Sequence, residues 1–332
     1  MNVLFSIVFC IAVSYAFVEL FRRLRFSGVA AMIVAGILTG SSVVRQALLD
    51  PNTELIYMIG DIGLLCIMFI AGLEVSWSVL SREKRDAAFV AVFAAVVPFV
   101  LGSLAFLAMG FGLEVSIFAG ICISVTAEAT KAKVLVDMEK LETKIGSLMI
   151  GTGIIDDVFG MGLFILFGYM FAIFPIKDVV LLSGAIIMFF FGVIVHRQIG
   201  RTKNKIPLLE KIIFYFVSPF FFVSMGMNFS TRSIIIEPFL LLIILALAFG
   251  GKILGTILTK PFTKLKLMQL FLVGLGMNSR GAVELALLFV AFKTGLLPVY
   301  VYSGLVAMAL ITTLIFPILF TRFVRKNPKI MN

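Results

Sequence analysis

Residues 123–158 read ISVTAEATKAKVLVDMEKLETKIGSLMIGTGIIDDV, and two features of this stretch settle the architecture. A polar run, Thr126 to Lys131 (TAEATK), interrupts an apolar segment covering about 114–136. Beyond it, the adjacent acids Asp156 and Asp157 stand near the middle of a second apolar segment, about 145–171. Segments of this length cross a hydrocarbon core of about 30 Å as helices. A polar interruption at that depth implies local unwinding, which survives only where protein or a water-filled cavity satisfies the backbone. A charge at the centre of such a helix costs at least about 2.5 kcal/mol, so acids placed there face cavities and mark ion or proton pathways.

Outward from this stretch the whole chain has the same character. Of its 332 residues 61% are hydrophobic and 14% charged, against roughly 45–50% apolar content in soluble domains, and the mean hydropathy is +1.15. Apolar runs predict about eleven transmembrane helices, near 2–20, 26–44, 56–79, 87–110, 114–136, 145–171, 177–196, 207–228, 233–259, 265–292 and 297–321. The fold class expected is an all-α polytopic membrane protein forming one integral domain over 1–332, with no soluble regulatory domain. The net charge of +10 belongs to short clusters between apolar runs, not to one patch, so nucleic acid is not an expected partner. Twenty-two of the 28 Lys and Arg residues fall in alternate connections, at 22–25, 82–85, 131–144, 197–211, 260–266 and 322–329. Cytoplasmic loops carry such an excess, which predicts an outside N-terminus and a cytoplasmic C-terminus. Arg22, Arg23 and Arg25 follow the first apolar run, the wrong polarity for a cleaved signal peptide.

A second interruption, Asn278 to Gly281 (NSRG), falls in the tenth helix. The fifth and tenth helices then run antiparallel and five helices apart. This predicts inverted repeats over about 26–171 and 177–325 with helix 1 as an extra, an arrangement that places a substrate site where interrupted helices meet. Thr126, Glu128, Lys131, Asn278, Ser279, Arg280 and Glu284 are the supporting residues of that crossing. The expected division is a core carrying the interrupted helices and the aspartates, and a scaffold made of helices near 26–79 and 177–259.

Adjacent residues on a helix point about 100° apart, so Asp156 and Asp157 have separate roles. Asp157 is expected to face the cavity and hold a proton or a cation such as Na⁺ in competition, and Asp156 to be held by a base, with Lys131, Arg280 and Lys252 as candidates. Glu284, four residues after Arg280, is placed to pair with it locally. Asp61 and Glu74 read as structural or vestibule residues, His196 and Trp77 as interfacial ones. The cysteines Cys10, Cys66 and Cys122 sit singly in apolar segments, which implies neither disulfide nor zinc. With no nucleotide loop, ligand cluster or nucleophile constellation, neither an enzyme nor a cofactor is expected.

Four stretches, GVAAMIVAGILTG (28–40), DIGLLCIMFIAGLEV (61–75), 123–158 and SPFFFVSMGMNF (218–229), make the chain similar to the second cation:proton antiporter family, bacterial and archaeal sodium/proton and potassium/proton exchangers. GLGMNSRGAVELAL (275–288) resembles the family's second interrupted helix. The resemblance implies a sodium/proton antiporter-like fold in the prokaryotic plasma membrane and a homodimer. It also implies Asp157 as ion and proton binder, Asp156 as a salt-bridged residue, and more than one proton per cation. The chain departs from the family pattern in carrying Glu128 and Lys131 at the first crossover, and Ser279 and Ala282 where Pro and Glu are usual.

Overall fold

A chain whose apolar runs are about twenty residues long must satisfy its backbone within each run, and helices do so. The computed structural model is all-helical among its described residues, which are 3–23, 26, 28–50, 52–74, 84–126, 128–171, 176–199 and 216–331. In chain order the helices are α1 (Val3–Arg23), α2 (Gly28–Thr39), α3 (Ser42–Leu48), α4 (Thr53–Glu74) and α5 (Lys84–Ala108). Next come α6 (Leu113–Ser124), α7 (Glu128–Asp137), α8 (Lys144–Met170), α9 (Ile176–Ile199) and α10 (Ser218–Met227). The last are α11 (Thr231–Ile236), α12 (Pro238–Leu258), α13 (Leu267–Gly276), α14 (Ala282–Lys293) and α15 (Val299–Lys326), followed by a 3₁₀ turn, Pro328–Met331. Six described helices, α1, α4, α5, α8, α12 and α15, are long and apolar enough to cross a membrane.

Two compact units form, one from Met1–Val75 with Ile176–Thr231, the other from Ser76–Pro175 with Arg232–Asn332. In the first, α4 packs on α9 and α10, and α10 also packs on α1 and α2. Lipid tails are as apolar as these side chains, so close backbone approach at small residues drives the association. A Cβ on Gly72 would strike the Phe189 carbonyl, and one on Gly192 the Phe69 carbonyl, so α4 and α9 meet backbone to backbone. His196 Nδ1 lies 2.6 Å from the Leu73 carbonyl oxygen, tying the end of α9 to the end of α4. Gly36 of α2 faces the Val223 carbonyl of α10 in the same way, at 2.7 Å from where a Cβ would stand. Cys10, Leu49, Ile56, Phe220, Val223 and Met227 fill the space between these helices.

In the second unit α5 contacts α6, α8 and α12, and α15 contacts α12, α13 and α14. Gly251 and Gly255 of α12 let it lie against Pro98 and the Phe93 carbonyl of α5. That contact places Lys252, which lies between the two glycines, in the unit's interior, where it is fully buried. The expected scaffold included 233–259, but α12 belongs with the interrupted helices, held there by α5, α13 and α15. The expected single helix over 233–259 is also two pieces, since Pro238 starts α12 after a non-helical Glu237. Cys10, Cys66 and Cys122 are free thiols. Trp77 and the side chains of Glu74 and Glu128 lie outside the described residues.

Candidate functional site

The first break is shorter than its polar run. α6 ends at Ser124 and Val125 is extended, with φ −71° and ψ 145°. α7 begins at Glu128, so Glu128, Thr130 and Lys131 are already helical. The unwinding therefore follows Val125 and Thr126, where α6 terminates, and does not extend to Lys131 as the polar run suggested. The second break is wider by one residue. α13 ends at Gly276, and Met277 through Gly281 separate it from α14.

Arg280 joins the two breaks. The last carbonyls of α6 have no intrahelical donor and carry the negative end of the helix dipole. Arg280, fully buried, supplies both donors and positive charge. Its Nη2 donates to the Ile123 carbonyl at 2.7 Å, and its Nη1 to the carbonyls of Cys122, at 3.4 Å, and Val125. The Arg280 carbonyl in turn accepts from Thr130 Oγ1 of α7 and Thr313 Oγ1 of α15, both at 3.3 Å. Asn278 Nδ2 donates back to the Gly274 carbonyl at 2.8 Å, closing the end of α13. Ser279 is fully buried beside it. Hydrogen bonds to a charged group contribute about 1.5–3 kcal/mol each, so Arg280→Met should lower stability by at least about 3 kcal/mol. Arg280→Lys should restore only part, because a single ammonium cannot span three carbonyls. Melting curves in detergent check this, and equal stability of the lysine variant would contradict it.

Asp156 and Asp157 lie in α8, opposite the first break. Lys252 Nζ of α12 sits 3.0 and 3.2 Å from the two oxygens of Asp156, and Thr126 Oγ1 donates to Asp156 Oδ2 at 2.6 Å. All three side chains are at most 1% exposed. Of the three bases the sequence offered, Lys252 pairs with Asp156. Asp157, turned about 100° around the helix, is buried with 5% exposure. Lys131 also makes contacts away from the Asp156 carboxylate. Its Nζ donates to the Met149 carbonyl at 3.1 Å and to Met277 Sδ at 3.4 Å, so it links α7, α8 and the second break. Glu284 is fully buried, with Oε1 3.5 Å from Arg280 Nη1. Thr126 is marked by its place at the head of the polar run, but the Thr130 and Thr313 contacts joining these groups have no signal of their own in the sequence, because threonine is ordinary in apolar helices.

The unit thus brings together two broken helices, a neutralised acid and an adjacent buried acid. The family profile described as sodium/hydrogen exchanger, transmembrane, matches residues 7–200 and 161–326. The chain belongs to the sodium/hydrogen exchanger family. As a member it is a multi-pass membrane protein that exchanges a monovalent cation for protons. The exchanger is 24% identical to the Na(+)/H(+) antiporter of Enterococcus hirae over 364 residues, covering 92% of this chain and 94% of that one. It is 25% identical to the Na(+)/H(+)-K(+) antiporter GerN of Bacillus cereus, covering 90% of each. Its fold is similar to that of the sodium proton antiporter MjNhaP1 from Methanocaldococcus jannaschii, with TM-score 0.67 at 13% identity over 96% of this chain and 95% of that one.

Proposed function

We propose that this exchanger moves Na⁺ or Li⁺ against protons by alternating access, with cation and proton competing for the Asp157 carboxylate. The supporting observation is the satisfaction of Asp156, whose oxygens are taken by Lys252 and Thr126. With Asp156 neutralised, the cargo is assigned to the adjacent acid of α8, Asp157. Thr126, Lys131, Asn278, Ser279, Arg280 and Glu284 shape the crossing beside it, and no resident cofactor is invoked, since Na⁺ and H⁺ are the cargo. In this reading the chain works in the prokaryotic plasma membrane as a homodimer, with its N-terminus outside and its C-terminus in the cytoplasm. Potassium/proton exchange is the second reading, favoured by the potassium in the name of the Bacillus cereus relative.

The test is proton flux in proteoliposomes carrying an imposed pH gradient, with Na⁺, Li⁺ or K⁺ added in turn. Collapse of the gradient by Na⁺ or Li⁺ is the expected result. Collapse by K⁺ alone selects the second reading. Sodium uptake that requires an organic anion would indicate a symporter, and absence of flux with every cation in folded protein would leave a membrane sensor.

A further inference from the structure

Glu284 is the buried acid whose setting the exchange at Asp157 does not explain. It stands in the first turn of α14 and is fully buried. Among the described residues neither carboxylate oxygen has a hydrogen-bond partner. Buried polar groups are nearly always hydrogen-bonded, and an exception in a native fold requires a reason. Asp156, by contrast, is bonded at both oxygens. Arg280 Nη1 lies 3.5 Å from Glu284 Oε1, an ion pair at long range rather than a short charge-assisted hydrogen bond. That nitrogen carries two hydrogens, and the carbonyls of Cys122 and Val125 already take them. Arg280 Nε, which would complete a two-pronged grip on a carboxylate, has no acceptor among the described residues. The guanidinium thus gives its hydrogen bonds to the end of α6 and meets the acid four residues along its own chain only at ion-pair distance. An ionised carboxylate would be expected to pull the fork round into the bidentate pairing that Arg and carboxylate favour.

We infer that Glu284 is a second proton carrier of the exchange cycle, coupled to the site through Arg280, which alternates between the Glu284 carboxylate and the carbonyls that end α6. The inference rests on the exchange reading above. With the proton on, Glu284 is neutral and Arg280 stays on the carbonyls. When the O–H bond breaks, its electrons remain on the carboxylate, the proton passes to water, and Arg280 turns to the new charge. The end of α6 then loses its donors next to Thr126, the residue that holds Asp156. The elements packed on α14 are α6, α8 and α15. The charged or titratable groups around Glu284 include Cys122 of α6, Asp156 of α8 with its partner Lys252 of α12, and Arg280 of the break, and α8 also carries Asp157. α15 meets this region at Thr313, and its own charges begin only at Arg322. Lys252 is already committed to Asp156, and Arg280, at ion-pair distance, is a cation placed to answer a change of charge at Glu284.

The test is the coupling ratio, read as the opposing proton and Na⁺ gradients at which net flux vanishes, with K⁺ replacing Na⁺ where K⁺ is the driving cation. Wild type should move a second proton with each cation. Glu284→Gln should still exchange but move one proton fewer, and Glu284→Asp should restore the wild-type ratio with a displaced pH profile. An unchanged ratio and pH profile in Glu284→Gln would overturn the inference and leave the residue a packing partner of Arg280. Should Glu284→Gln fail to fold, infrared spectra of Asp157→Asn protein give a separate reading. A protonated-carboxyl band that titrates reversibly with pH is expected, and its absence overturns the inference. If wild type moves no protons with any cation, the exchange reading fails, while the infrared titration still reports on Glu284.

Discussion

Asp157→Asn should reduce cation-driven proton movement to the level of protein-free liposomes while leaving the fold intact. Asparagine has the same shape and keeps the polar tip, so packing at a site with 5% exposure is hardly disturbed. What it lacks is the charge that attracts a cation and the oxygen that accepts a proton at physiological pH. Asp156 cannot substitute, because Lys252 and Thr126 already hold both of its oxygens. The wild-type protein carries a second signature of the same competition. On the acid side of its profile each lower pH unit should raise the apparent KM for Na⁺ at least about tenfold, since at least the Asp157 proton must leave for one cation to bind. On the alkaline side the KM should become flat. Flux surviving in Asp157→Asn, or a KM for Na⁺ indifferent to pH, would move the exchange site elsewhere.

The parts legible in the sequence were those fixed by the bilayer. Apolar length sets the helices, and a polar run such as TAEATK or NSRG inside one can only be an interruption, so both breaks were visible. Their edges were not, because Val125 ends α6 by its extended backbone, whereas Glu128 to Lys131, polar in composition, continue as helix. The separation of the two aspartates followed from helix geometry, but the choice of Lys252 over Lys131 and Arg280 did not. Three buried bases are equivalent in one dimension, and the selection was made by α12 packing its glycines on α5. The same contact explains why the expected scaffold lost that helix. Arg280 and Glu284 show the reverse case. Their spacing suggested a local pair, and the two do lie at ion-pair distance, 3.5 Å, but Arg280 stands in the break, before α14 begins, and its guanidinium also serves the end of α6.

The pair of Lys252 and Asp156 carries the second large effect, on stability. Lys252→Met should destabilise the protein by about 3–5 kcal/mol, because it leaves the Asp156 carboxylate charged and buried with Thr126 still donating to it. Asp156→Asn should cost a similar amount by stranding the Lys252 ammonium. The mutual attraction of such a pair roughly offsets the desolvation of its two members, so removing both charges together is far less harmful than removing either. The double variant Asp156→Asn, Lys252→Met should therefore recover most of the melting temperature lost by each single variant. Thr126 can still donate to the asparagine oxygen, which keeps the first break attached to α8. Because Asp157 and Glu284 are untouched in the double variant, cation-driven proton flux should return with stability. A double variant as unstable as the singles would show that the ion pair contributes more than mutual neutralisation. A double variant that is stable yet silent in transport would place Lys252 and Asp156 among the groups that change charge during the cycle, and would remove the separation of roles between the adjacent aspartates.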